Sequence, residues 1–145
     1  MTDKPESDLT EVAPGAMSML DRKRGRIFKT AWFSKAARKA RIEDIELVEA
    51  MRQVMLGLAD DLGGGVFKKR LNKNRHRSII VAKGSWYWVY VYLFAKKDRA
   101  NIDESELAAF RDLASLYALK TDADILKELE SLNVVEIGHD GEAQV

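Results

Sequence analysis

Residues 77–95 read RSIIVAKGSWYWVYVYLFA, and their reading decides the fold. Arg77–Lys83 and Trp86–Ala95 are two β-rich runs joined by Gly84-Ser85, a spacing that predicts an antiparallel hairpin. In the second run, strand alternation puts Trp86, Trp88, Tyr90, Tyr92 and Phe94 on one face and Tyr87, Val89, Val91 and Leu93 on the other. A strand apolar on both faces belongs in the middle of a covered sheet. The aromatics are then core, with a Tyr near the strand end in reach of a site.

Upstream, Val66–Leu71 is a third strand behind Gly63-Gly64-Gly65. A phosphate loop needs a strand-to-helix context and a GK[ST] ending; this run has neither, so it reads as a turn that aims the strand. Asp44 is placed to N-cap a helix whose stripe is Leu47, Val48, Met51, Met55 and Leu58, expected to end at Asp60-Asp61-Leu62. Before it come a short strand, Ile27–Trp32, and a helix with Phe33, Ala36, Ala37 and Ala40 at helical spacing. Downstream, Asp103 and Glu106 stand at the N-cap and N3 of a helix striped by Leu107, Phe110, Leu113, Ala114 and Tyr117. Thr121 caps a last short helix through Leu132. The fold class is α+β, a small curved antiparallel sheet packed with helices. Residues 1–25 hold both prolines and no apolar period, and read as a flexible extension in which Met17 and Met19 are alternative starts. Residues 26–132 form the domain, and 133–145 read as a loose acidic tail.

A chain of 145 residues fits one domain. With no cysteine there is no disulfide framework, thiolate metal site or Cys nucleophile, and His76 and His139 lie too far apart to read as a ligand pair. No cofactor or metal is expected. The longest apolar stretch, Trp86–Ala95, is far short of the ~20 residues of a membrane span. The N-terminus lacks the apolar core of a secretory signal, so a cytoplasmic protein without membrane contact is expected.

The net charge of +1 conceals a separation into blocks. Residues 22–42 carry nine cations and no acid; residues 66–99 carry ten cations against Asp98 alone. The segments between and around them are acidic. Localised cationic surfaces suit a polyanion, most commonly nucleic acid. For the first block, a solvated helix face explains the charge as well as a binding surface does. The second is clustered on strands and a short loop, which favours a site. Alternation sets Val66, Lys68 and Arg70 on one face and Phe67, Lys69 and Leu71 on the other. Arg77 opens the paired strand, and Lys97 and Arg99 follow the central one, so all are placed to converge. Such a patch holds a phosphodiester through charge and bidentate guanidinium contacts. Crowded cations also lower a Lys pKa, a route to a general base without His or carboxylate.

The blocks FKTAWF, ARKARI, DDLGGGVFKKRL, HRSIIVAKG and YLFAKKDRANIDESEL resemble the RelE-type toxins of bacterial toxin–antitoxin modules, in the RelE/ParE superfamily. The runs LGGG-V-x-K-x-R and FAK-x-x-R-x-NI resemble a HigB-like branch, and the likeness covers roughly Arg26 to Leu119. It implies a microbial-RNase-like α+β fold and a toxin that cleaves mRNA on the ribosome. A cognate antitoxin, a helix-turn-helix protein, would silence it, with operator DNA contacted only through that partner. By position, Lys68 and Arg70 match the family's basic pair, Arg77 the arginine opening the next strand, and Lys97 and Arg99 the cations after the last strand. The resemblance makes Lys68 the base, Arg70 and Arg77 the phosphate grip, and Lys97 or His76 the aid to the leaving group. Lys69, Lys73, Arg75, His76, Lys83, Lys96 and Arg99 form the expected RNA-binding surround. Asp103 stands about where RelE proper has a Tyr. The same superfamily offers two other readings: a ParE-like toxin that poisons DNA gyrase, and an inactive RNA binder.

Overall fold

A computed structural model describes residues 25–131 and 133–140. The expected flexible extension therefore lies almost wholly outside the described residues. Ten elements follow in order: β1 Arg26–Thr30, α1 Ala31–Lys39, α2 Asp44–Met55, β2 Asp60–Gly63, β3 Val66–Leu71, β4 His76–Lys83, β5 Tyr87–Ala95, α3 Glu104–Ala118, α4 Asp122–Glu130 and β6 Val134–His139. They make one six-stranded sheet ordered β2-β3-β4-β5-β1-β6. Every pairing is antiparallel except β1 with β5. The expected α+β class and the central β4–β5 hairpin are both present.

Each sheet face carries its own core. On one, Phe33 and Ala37 of α1 and Leu47, Met51 and Val54 of α2 pack against Ile27, Ile80, Trp88 and Tyr90. On the other, Ala114 and Tyr117 of α3 and Ile125 of α4 pack against Phe28, Ile79, Val81, Tyr87 and Val89. β5 is therefore covered on both sides, as its doubly apolar sequence requires. The Tyr90 ring stacks on Phe33 at 4.8 Å, and its buried hydroxyl donates to the Leu47 carbonyl at 2.6 Å.

Three expectations are corrected. The faces of β5 do not alternate throughout. Ile79 pairs with Tyr92 and Ile80 with Tyr90, which leaves Val91 as an extra residue on β5. This bulge turns Tyr92 and Phe94 to the α3 face, beside Val91, and Leu93 to the α1 face. Second, α2 stops at Met55 rather than running to Leu62. Gly57 adopts φ +88, the left-handed conformation that terminates helices, and Asp60–Gly63 becomes the edge strand β2. Third, the stretch expected as a loose tail contains β6. It pairs with β1 and is fastened by Arg26, whose guanidinium makes two 2.8 Å bonds to Glu136 while lying 5.4 and 5.5 Å from the Phe28 and Tyr87 ring centres.

The triple glycine is a turn, as its context implies. Gly63, Gly64 and Gly65 all have positive φ, and they join β2 to β3. Arg111 of α3 covers the turn and donates to the carbonyls of Leu62 and Gly63. Those bonds and the close Arg111 side chain leave the run serving the helix packing.

Candidate functional site

The β3–β4 ladder sets the geometry of the cations. Lys68 pairs with Ile79, Arg70 with Arg77 and Leu71 with His76. Because Ile79 belongs to the α3 face, Lys68, Arg70 and Arg77 project to that side, while Lys69 and His76 project to the α1–α2 side. The expected split of β3 is thus present. Arg70 and Arg77 are directly opposed, with Cβ atoms roughly 5 Å apart for such a pair.

Arg77 is only 9% exposed. Its Nη1 donates to the carbonyls of Asn74 at 3.1 Å and His76 at 3.2 Å, which ties the guanidinium to the β3–β4 turn. Its Nε and Nη2 have no acceptor among the described residues. Lys68 Nζ donates to Asn101 Oδ1 at 3.3 Å and lies 3.8 Å from Asp60 on the neighbouring strand. Arg99 reaches the same region with its guanidinium 5.6 Å from the Phe94 ring centre, and Phe94 pairs with Arg77.

Arg99 is nonetheless heavily committed. It makes two bonds to Glu106, at 2.6 and 2.9 Å, and others to the Asn101 carbonyl and the Tyr92 hydroxyl. Glu106 completes the capping box of α3 by accepting from the Asp103 N–H, and Asp103 accepts from the Glu106 N–H. Arg99 holds the Glu106 carboxyl below the usual range, and the Glu106 backbone N–H, with the Ser105 hydroxyl, does the same for Asp103. Asp103 is therefore a helix cap. Lys83 sits at the far end of β4, bonded at 2.9 Å to the Ala118 carbonyl, and does not join the cluster.

On the other side of the sheet Lys69 donates to the Leu58 carbonyl at 2.8 Å. Burial, then the charge of Arg70, lowers its pKa. The remaining cations line a groove between α1 and the chain turns at the ends of β3 and β5. One stretch of it, about 560 Å³, is bounded by Trp32, Lys35, Lys39, His76, Tyr92 and Lys97. A second, about 700 Å³, continues past Lys39, His76 and Lys97 to Lys73, Arg75 and Lys96. Lys35 and Lys39 belong to the first basic block, and Trp32 was not among the expected site residues. Their signal was in the sequence: positions 32, 35 and 39 fall on one helix face, beside rather than within the buried Phe33–Ala37 stripe.

The β3–β4 turn is locally strained, with Asn72, Lys73 and Asn74 at φ 56, 54 and 70. Asn tolerates this conformation; Lys73 does so at a cost. Asn72 Oδ1 accepts from Arg75 at 3.1 Å, which turns its amide nitrogen toward His76 Nδ1, also 3.1 Å away. Nδ1 is then the acceptor, and the imidazole proton sits on Nε2. Burial, reinforced by Arg75, pushes the His76 pKa below its ordinary value.

No helix among the described residues is long and apolar enough to cross a membrane. No curated protein and no solved structure matches the chain. A family profile described as RelE toxin of RelE / RelB toxin-antitoxin system matches residues 25–137. That span takes in most of the chain, from β1 into β6, and with it every cation placed above. On that match the chain belongs to the RelE toxin family, the toxin side of a toxin–antitoxin pair whose partner is an antitoxin.

Proposed function

We propose that this toxin is an endoribonuclease that cleaves mRNA on the ribosome, with Lys68, Arg70, Arg77 and Lys97 as its working residues. The observation that carries the reading is the direct opposition of Arg70 and Arg77. Like charges opposed across a ladder destabilise a sheet, and among the described residues no acid side chain is bonded to either guanidinium. An anion between them removes the repulsion, and a phosphodiester is an anion that two guanidiniums grip well.

In the proposed reaction Lys68 takes the proton of a ribose 2′-hydroxyl, whose oxygen attacks the adjacent phosphorus. Arg70 and Arg77 neutralise the charge that builds on the non-bridging oxygens. The bond to the departing 5′-oxygen breaks, and Lys97 supplies the proton that oxygen takes up. The products are a 2′,3′-cyclic phosphate and a free 5′-hydroxyl. Lys97 lines the groove beside α1 together with His76, at the turn after β5, so in this reading the proton comes from the edge of the patch rather than from the Arg70–Arg77 face itself.

The test is growth arrest together with mapped mRNA cleavage after induction, at matched expression. Arg77→Ala is expected to slow cleavage roughly 100- to 1000-fold, the usual cost of removing one donor to a developing charge. Arg77→Lys is expected to be nearly as damaging, because Lys lacks the planar fork. Lys127→Ala, on the exposed face of α4, is the control. Cleavage unchanged in Arg77→Ala overturns the assignment. Toxicity without any cleavage moves the gyrase-binding reading ahead.

A further inference from the structure

Trp32 is 52% exposed, although tryptophan is costly to leave in water. It takes no part in the α1 core, which is built from Phe33 and Ala37. One face of its indole is stacked on Tyr92, with ring centres 5.1 Å apart and planes at 27°. Tyr92 is in turn held by Phe94 and Phe110 at 5.9 and 5.8 Å and by the Arg99 bond to its hydroxyl. The bulge at Val91 is what turns Tyr92 into this position. The result is a braced aromatic platform at the mouth of the groove described above.

The groove that leads away from the platform is strongly cationic. Lys35, Lys39, Lys97, Lys96, Lys73 and Arg75 line it, and Asp98 is the one acid among its lining residues. Lys35 and Lys39 stand one helical turn apart in a helix that has no acidic residue, a like-charge spacing that weakens a helix. The outer face of the indole packs against nothing in the α1 core, and of the two lysines only Lys39, in the last turn of α1, suits the helix dipole. Together the exposed indole and the repeated lysines are the two components of a single-strand nucleic-acid site: a ring on which a base stacks and a row of cations that follows the phosphates.

We propose that this groove binds single-stranded RNA, one base stacking on the outer face of Trp32 and the following phosphates lying against Lys35, Lys39 and Lys97. The track lies on the α1 side of the sheet and meets the proposed cleavage residues at Lys97. The proposal rests on the RNA reading above, and it assigns to the first basic block, through α1, the role of holding the strand. An acidic peptide would satisfy the lysines but leave the indole without a partner ring, so RNA is the occupant that accounts for both features.

The experiment measures anisotropy of a fluorescein-labelled ten-nucleotide uridine RNA with the full chain, beside a ten-residue polyglutamate peptide. Trp32→Ala is expected to weaken RNA binding roughly 5- to 150-fold, the range for removal of one base stack. Trp32→Phe is expected to retain most of the affinity. In the Lys35→Ala/Lys39→Ala double variant the slope of log K against log salt is expected to fall by about 1.4, or roughly 0.7 for each phosphate no longer neutralised. Thermal melts establish that each variant folds, which the exposure of all three positions favours. RNA affinity unchanged by Trp32→Ala overturns the track, as does absence of RNA binding by the parent chain. Polyglutamate binding that falls as far as RNA binding in Trp32→Ala overturns it too, in favour of a peptide site. These results are independent of cleavage in Arg77→Ala: loss of cleavage there with no effect of Trp32→Ala leaves the nuclease reading standing and removes only the track.

Discussion

The Arg99 guanidinium clasps the Glu106 carboxylate at two points, 2.6 and 2.9 Å, and so fastens the end of the β5 turn to the first turn of α3. The same carboxylate caps the Asp103 N–H. A cation of the expected RNA-binding surround is thereby committed to the scaffold that aims Asn101 at Lys68.

Arg99→Ala and Glu106→Gln should accordingly lower thermal stability in the same direction, and the double variant should lose less than the two single losses added. That non-additivity is the mark of a shared interaction. Melting of the four proteins measures it. Fully additive losses would mean that Arg99 and Glu106 act apart, and would return Arg99 to the RNA-contacting set.

The same cluster gives a pH signature. Glu106 and Asp103 both have carboxyls held below their ordinary values, 4.5 and 3.8. A carboxyl with a depressed folded-state pKa stabilises the fold while the pH is above its unfolded value, and that contribution is lost as pH falls through the folded value. Stability should therefore hold down to about pH 4.5 on account of these groups and decline below it. Glu106→Gln should show a shallower decline across the same window in melts taken from pH 6 to pH 2.5. An unchanged slope would remove Glu106 as a source.

Arg70→Gln should separate stability from function. Removing one of two opposed guanidiniums relieves a repulsion worth ~0.2–1 kcal/mol, so the variant should be slightly more stable in urea. Its RNA cleavage should fall steeply. A variant both less stable and fully active would mean that Arg70 supports the sheet rather than a ligand.

Two glycines distinguish strain from crowding. A Cβ on Gly57, at φ +88, meets nothing within 4 Å, so Gly57→Ala should cost only the left-handed penalty of ~1–2 kcal/mol. A Cβ on Gly65, at φ +84, would lie 3.2 Å from the Ala82 carbonyl oxygen and 3.4 Å from Ala114. Gly65→Ala should therefore destabilise by more than Gly57→Ala. Chemical denaturation of the two variants checks the order, and the reverse order would mean that the β2–β3 turn yields easily.

What the sequence determined by itself was whatever a few neighbouring residues decide. The split of Lys68 and Arg70 from Lys69 follows from the two-residue period of a strand. The α3 and α4 starts follow from Asp103 with Glu106 and Thr121 with Asp124, pairs three residues apart that bond reciprocally. The β4–β5 hairpin follows from Gly84-Ser85 between two β-rich runs. Tertiary structure decided what depends on a distant partner. β6 looks like a tail until Arg26 and Glu136, 110 residues apart, meet across β1. The faces of β5 exchange at Val91 because β4 sets the register there, and that exchange delivers Tyr92 to Trp32. Lys35 and Lys39 resemble any solvated helix cations until α1 packs on the sheet and brings them beside His76 and Lys97. Period and capping are energies of one turn or one strand; convergence is fixed only when two hydrophobic faces close on the same sheet and carry their polar edges with them.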